Sequence, residues 1–226
     1  MSLRIGGNGR AIAKWVIIFI LAGLMIGFVV KVALFEKDYY GGKEGSERAV
    51  AMDMGDDLVE EPPTEQEVAE YTVAPDRPRY LSVERLGITN ARMLPMGINA
   101  EGELTTPNNI FDVGWYDASG KPGQGGTLLV DGHNGGPHVQ GVFKALPSLG
   151  SGDIIKVERG DGQVFQYSVV ENKAVPLSEA NDYMATAMMS PMKGKESITL
   201  ISCTGEWSQA QKTYLSRQFT RAILVE

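Results

Sequence analysis

Short apolar segments separated by glycine-rich turns fill residues 78–226, and this pattern constrains the fold more than any other feature of the chain. The turns, such as GINAEGE and ASGKPGQGG, are rich in glycine, which tolerates the backbone angles that tight turns require. Many short strands joined by such turns are typical of a barrel or a sandwich, so we predict an all-β domain. The predicted strands are 80–83, 91–95, 127–131, 153–158, 164–170, 197–202 and 217–225.

Helical patterns are few in the same region. We predict a short helix over 142–146 and a longer one over 177–189, which Ser178 would open as its N-cap. The 149 residues of 78–226 have the size of one domain.

An uncharged apolar run of 16 residues covers 15–30 and lies between Lys14 and Lys31. Counted to Phe35 it has 21 residues, close to the roughly 20 that a helix needs to cross a bilayer. A cleaved signal peptide is the alternative, but it would end in small residues of the A-x-A type, which VVKVALFEKDYY does not offer. We therefore predict one uncleaved N-terminal transmembrane helix over 15–35.

Charge on the two sides of this run predicts its orientation. Residues 1–35 carry four bases and no acid, whereas 36–77 carry 13 acids and four bases. The positive-inside rule then places residues 1–14 in the cytoplasm and everything after 35 outside the cell. The body, 78–226, has a net charge of −2, which gives no support to a nucleic-acid partner.

Residues 36–77 are predicted to form an acidic, flexible linker. The stretch contains Gly-Gly and Pro-Pro and no sustained apolar period, so it cannot bury enough surface to offset the loss of chain entropy. A short helix over 64–71 is compatible with this, since TEQE resembles a capping box. A solvated tether is the main interpretation, and a regulatory lid over a site is the alternative.

Cys203 is the only cysteine of the chain, which excludes an internal disulfide and a cysteine-rich zinc site. An isolated cysteine is often a small buried hydrophobic residue. Cys203, however, follows the predicted strand 197–202 and precedes a polar loop, where a thiol faces a cleft more readily. The backbone N–H groups of Thr204 and Gly205 could there donate hydrogen bonds to a developing oxyanion.

The residues that could assist such a thiol are few. His133 and His138 are the only histidines, and a lone histidine near a strand is often structural. A cysteine enzyme nevertheless needs a base, and no other candidate exists. Arg217 opens the last predicted strand and could stabilise negative charge on a carbonyl oxygen. No Asn or Asp stands out as a third member of a papain-like triad.

Three motifs in order resemble the sortases, the cysteine transpeptidases on the outer face of Gram-positive-type cell envelopes. GTLLVDGHNGG followed by GVF and GDIIKV is similar to the family pattern and aligns its histidine with His133. ITLISC is similar to the T-L-x-T-C signature and aligns the nucleophile with Cys203, with Ser202 in place of the usual Thr. The strand-initial arginine aligns with Arg217.

The resemblance implies an eight-stranded β-barrel whose substrate is a secreted protein with a C-terminal LPXTG-like signal. Cys203 would attack the Thr–Gly carbonyl, His133 would transfer protons, and Arg217 would bind the oxyanion or orient the substrate. The acyl group would pass to an amine of a peptidoglycan precursor. Ser202, Thr204 and Gly205 are the expected substrate-binding residues.

Two alternatives to this function remain. One is a pilus-polymerising sortase that uses a pilin lysine, and the other is a non-catalytic barrel scaffold anchored in the membrane. No cofactor is expected, and no metal, because the sequence shows no clear acidic cluster for the calcium that some relatives use.

The topology leads to a first prediction. Protease added outside intact cells should remove residues 78–226 and leave a short protected N-terminal fragment, as detected by mass spectrometry. Full protection of the body would contradict the N-in orientation, and release of a soluble mature protein would favour a signal peptide.

Overall fold

The computed structural model describes residues 58–100 and 102–225. The predicted cytoplasmic segment 1–14, the predicted anchor 15–35 and the first part of the predicted linker lie outside these residues. Within the described ranges, no helix combines the length and the apolar character needed to cross a membrane.

Eight strands close into one barrel, which confirms the all-β, eight-stranded expectation. The order around the barrel is β1-β2-β3-β4-β7-β8-β6-β5. The pairs β2–β3 and β4–β7 are parallel and all other neighbours are antiparallel. The strands are β1 (Pro78–Val83), β2 (Ile88–Met96), β3 (Val113–Tyr116), β4 (Thr127–Gly132), β5 (Ile154–Arg159), β6 (Val164–Pro176), β7 (Ser197–Ser208) and β8 (Thr213–Leu224).

The sequence analysis missed β3 and cut several other strands short, including β2, which was predicted as 91–95. β3 has only four residues, VGWY, and includes a glycine, so it offers too little alternation to be recognised. β6 and β7 extend beyond their predicted ends and β8 begins earlier, because each pairs with its neighbour well past its apolar part.

The helices match the sequence patterns in two of three cases. Helix α1 (Glu65–Glu70) begins with the expected capping box, in which Thr64 and Glu67 bond reciprocally. Helix α2 (Leu177–Ala187) forms as predicted, but its cap position is Pro176, so Ser178 as N-cap was wrong. The helix over 142–146 was also wrong, since a turn leads there into a 3₁₀ helix at Leu146–Ser148. Five residues are too few to nucleate an α-helix.

Two apolar layers hold the barrel together. The interior cluster includes Leu128 and Val130 of β4 and Leu200 of β7. Alternate residues point to opposite faces of a strand, so Leu129 and Ile201 belong to a second cluster on the outer face, beneath α2. This outer layer is where the candidate site lies.

Part of the predicted linker packs against the barrel. Val59 bonds through its N–H to Asn108 O (2.9 Å) and through its carbonyl to Ile110 N (3.1 Å). The Tyr71 hydroxyl donates to Met93 O (2.6 Å), and Arg79 Nε donates to Tyr71 O (2.8 Å). Residues 58–77 therefore differ from the solvated tether expected from their acidic composition, since isolated side chains and backbone groups attach them to β1, β2 and the loop before β3.

Helix α2 is fixed to the outer face through its C-terminal end. Thr199 Oγ1 donates to Ala187 O (2.7 Å), and Arg221 Nη2 donates to Thr186 O (3.0 Å) and Met189 O (2.8 Å). These bonds satisfy carbonyls that have no partner inside the helix. Arg221 also pairs with Glu171 (2.6 Å), so this side chain joins β8, β6 and α2.

Candidate active site

Cys203 lies within β7. The sequence analysis had instead expected it to follow the end of that strand. The strand continues to Ser208 because its pairing with β8 resumes beyond an irregularity between Thr204 and Trp207. Gly205 occupies this irregularity with a φ of 84°, a left-handed conformation that glycine adopts without strain. β7 and β8 are antiparallel neighbours.

The register of β7 and β8 places Cys203 directly opposite Arg217. Residues opposite each other in an antiparallel pair have Cβ atoms about 4.5–5.5 Å apart on the same face. Arg221 instead faces Thr199, four residues down the strand. The ladder therefore brings one arginine, and not the other, to the thiol.

The parallel pairing of β4 and β7 brings His133 to the end of the barrel where Cys203 and Arg217 lie. Asp131 pairs with Ile201, and His133 and Cys203 each follow two residues later, so the same register directs both to one face. Ser202 Oγ donates to Gly132 O (2.8 Å) and extends the contact between the two chains past the last ladder pair. Three neighbouring strands thus deliver His133, Cys203 and Arg217 to one face of the barrel.

His133 is held by a single hydrogen bond that fixes its tautomer. Its Nε2 lies 2.8 Å from Pro107 O, and the side chain is 3% exposed. A carbonyl oxygen can only accept, so Nε2 carries the hydrogen. Nδ1 is then the nitrogen of the neutral ring that can accept a proton.

Arg217 is a deeply buried cation near the thiol, at 1% exposure. Its Nη1 donates to Tyr214 O (2.9 Å) and Ser216 O (3.2 Å), and its Nη2 donates to Thr213 Oγ1 (3.2 Å). These acceptors all belong to the start of β8, so the strand orients its own guanidinium. Burial lowers the pKa of Arg217, yet a guanidinium keeps its charge inside a protein.

Burial dominates the electrostatics of the thiol and the imidazole. It raises the pKa of Cys203, while the charge of Arg217 lowers that pKa and a charge on Asp131 raises it. Burial also lowers the pKa of His133, which the bond to Pro107 partly offsets. Both shifts favour the uncharged forms, so the geometry favours a neutral thiol beside a neutral imidazole.

The three expected substrate-binding residues occupy different positions. Ser202 is fully buried, and its hydroxyl is bonded to Gly132 O on the barrel side of the strand. Thr204 is half-buried and Gly205 is exposed. Only Thr204 and Gly205 therefore reach the surface beyond Cys203.

His138 is separated from this arrangement. It lies at the exposed tip of the loop 133–141, where its backbone N–H donates to Glu60 Oε1 (2.8 Å). The bridge between Gly135 and Gln140 closes that loop upon itself. Of the two histidines, only His133 is buried.

Two residues of the site were missed in the sequence. The backbone carbonyl of Pro107 accepts the hydrogen bond from His133. This residue was missed because a backbone carbonyl leaves no pattern in the sequence. Asp131 is fully buried on the face that carries His133. Its signal was an acid inside the apolar strand TLLVD, where a charge is costly. The described residues contain no group of three His, Cys, Asp or Glu side chains that could hold a metal ion.

Comparison with known proteins decides the family. The profile of the Sortase domain matches residues 81–225, well over half of the chain. The chain belongs to the sortase family. Sortases are cysteine transpeptidases, which accounts for a barrel with a single cysteine beside a histidine and an arginine. No curated protein sequence matches the chain.

Several solved sortase structures are similar to the chain at low sequence identity. Sortase C2 of pilus island 1 from Group B Streptococcus is 16% identical, with a TM-score of 0.50, over 84% of this chain and 97% of that one. Sortase C of Streptococcus pneumoniae is 17% identical, with a TM-score of 0.49 and coverages of 79% and 80%. A sortase D5 transpeptidase of Clostridium perfringens is 20% identical, with a TM-score of 0.46 and coverages of 73% and 90%.

The geometry gives a prediction for the two histidines. In the full-length protein, His133→Ala should lower transpeptidation by orders of magnitude, because it removes the ring beside Cys203. His138→Ala should retain most of the activity, since its ring lies at an exposed loop tip. Initial rates with a sorting-signal peptide and an amine measure both, and the reverse pattern would contradict the assignment.

The two arginines give a second, matched comparison. Arg217→Ala should cost about 3 kcal/mol or more of transition-state stabilisation, and Arg217→Lys should recover little, because an ammonium lacks the planar fork. Arg221→Ala should instead lower the melting temperature while folded molecules keep near-normal turnover. If Arg221→Ala were inactive and Arg217→Ala active, the proposed site would be wrong.

Proposed function

We propose that this protein is a membrane-anchored sortase that cleaves an LPXTG-like sorting signal between Thr and Gly and transfers the acyl group to an amine of the cell wall. The observation that carries the proposal is the meeting of His133, Cys203 and Arg217 on one face of β4, β7 and β8. A thiol, a proton carrier and a fixed cation are the groups that acyl transfer through a thioester requires.

The first half-reaction forms the acyl-enzyme. The Cys203 thiol gives its proton to His133 Nδ1, and the resulting thiolate attacks the threonine carbonyl carbon. The negative charge moves to the carbonyl oxygen, which Arg217 stabilises. When the C–N bond breaks, the protonated His133 ring gives its Nδ1 proton to the departing glycine amine. The products are a thioester on Cys203 and a free glycine-initiated fragment.

The second half-reaction transfers the acyl group. An incoming amine attacks the thioester carbonyl while neutral His133 takes its proton at Nδ1. The C–S bond breaks, and the Cys203 thiolate leaves as a new amide forms. Because the thioester retains the free energy of the original peptide bond, the exchange needs no cofactor.

The acceptor that we propose is an amine of a peptidoglycan precursor, and a pilin lysine is the alternative. In this proposal the apolar run 15–35 is a single anchor with residues 1–14 in the cytoplasm. The charge change across the run supports this orientation.

The function is tested by incubating the full-length protein, purified in mild detergent, with LPXTG-type peptides and several amines. We expect mass spectrometry to show loss of the segment after threonine and a new amide to the added amine. Cys203→Ala should form neither product. Labelling of a pilin lysine in preference to a peptidoglycan-type amine would favour the alternative acceptor, and intact peptide with every amine would contradict the proposed function.

A further inference from the structure

The Asp131 carboxyl is buried at 0% exposure near the end of strand β4, two residues before His133. Neither of its oxygens makes a hydrogen bond within residues 58–100 and 102–225. The neighbouring Thr106 hydroxyl is near enough to lower the pKa of Asp131 but lacks the geometry of a hydrogen bond, and it too has no partner there. Buried polar atoms of this kind are rare in folded proteins, and each calls for an explanation.

The barrel is shaped around this carboxyl. Gly114 of β3 is the register partner of Asp131. A Cβ at Gly114 would lie 2.2 Å from Asp131 Oδ1, 2.7 Å from Met96 Cγ and 3.1 Å from Pro107 Cδ. Any side chain at position 114 would therefore displace the carboxyl. Because glycine has no side chain, Gly114 leaves the space that the Asp131 carboxyl occupies.

Asp131 shares its face with the reactive groups. It lies two residues before His133, and its partner on β7, Ile201, lies two residues before Cys203. Residues two apart on a strand point the same way. Asp131 is near enough to Cys203 for a negative charge on it to raise the pKa of the thiol.

Among the described residues, no cation forms a hydrogen bond with Asp131. The titratable or charged groups on this face include His133 after β4, Cys203 on β7, Arg217 and Arg221 on β8, Tyr116 on β3 and Tyr183 on α2. Arg221 is paired with Glu171 (2.6 Å). Arg217 is committed to acceptors at the start of β8, and the Tyr183 hydroxyl donates to Glu171 (2.9 Å). Burial raises the pKa of Asp131 to about 7, so the acid is largely protonated below neutral pH.

We propose that Asp131 controls the ionisation of Cys203: as an uncharged acid it lets the thiolate form, and as a carboxylate it keeps the thiol protonated. Two negative charges close together in a buried site are mutually unfavourable, whereas Arg217 can compensate one of them. Asp131 acts through Cys203 and is a positioning residue. The inference rests on the proposed function only in taking Cys203 as the nucleophile.

The pH dependence of Cys203 alkylation tests this without any substrate. Cys203 is the only cysteine, so the addition of iodoacetamide, followed by intact mass, reports on this thiol alone. Full-length wild type and Asp131→Asn should react at similar rates near about pH 6, where Asp131 is uncharged. Near about pH 8 the variant should react about tenfold faster, because removal of a nearby like charge lowers a pKa by about one unit or more.

A matched control is Asp112→Asn, which makes the same change at a second buried aspartate. Asp112 accepts two hydrogen bonds from Arg92 (2.8 and 2.7 Å), so its carboxylate already has a cation. This variant should keep the wild-type profile. Equal profiles for wild type and Asp131→Asn at every pH, or slower alkylation of Asp131→Asn at high pH, would overturn the inference.

Infrared spectroscopy of the wild-type protein provides a measurement that does not depend on the folding of a variant. With aspartate labelled by carbon-13, the C=O band of a protonated buried acid should disappear with a midpoint of about 7. Alkylation of Cys203 should change this midpoint little, because burial keeps the thiol uncharged near that pH. A spectrum with every aspartate ionised at about pH 5 would overturn the inference as well, because free aspartates ionise below that value.

Discussion

The antiparallel ladder between β7 and β8 is the constraint on which the site depends. It pairs Cys203 with Arg217 through backbone hydrogen bonds that no side chain has to supply. Because the ladder extends on both sides of this pair, the thiol and the guanidinium are fixed by strand register and not by a loop. Sites built on strands hold their geometry more closely than sites built on loops.

The parallel contact between β4 and β7 completes the site in a different way. The regular pairing ends at Asp131 and Ile201, and the Ser202–Gly132 bond carries the alignment one residue further. His133 then depends on the Pro107 carbonyl for its orientation. This part of the site therefore rests on individual hydrogen bonds, whereas the Cys203–Arg217 pair rests on a whole ladder. Burial favours uncharged thiol and imidazole, so the charge of Arg217 is the main opposing influence on Cys203.

The sequence predicted the barrel and the three central residues because motifs and apolar strands leave local signals. Strand β3 was missed because VGWY is too short to show alternation, and the packing of 58–77 was missed because its acidic composition conceals the contacts of Val59 and Tyr71. Asp131 was missed for a different reason. Its burial follows from the closing of the barrel and from the space left by Gly114, and neither can be read from residues adjacent in sequence.

The central claim is that Cys203, placed by β7 opposite Arg217, forms a covalent acyl-enzyme. The most direct measurement is the intact mass of the full-length protein after mixing with a sorting-signal peptide in the absence of an added amine. The account predicts a mass increase equal to the peptide up to its threonine, located on Cys203 by fragmentation and removed by hydroxylamine. Cleavage of the peptide with no adduct on Cys203, or an adduct that persists in Cys203→Ala, would contradict it.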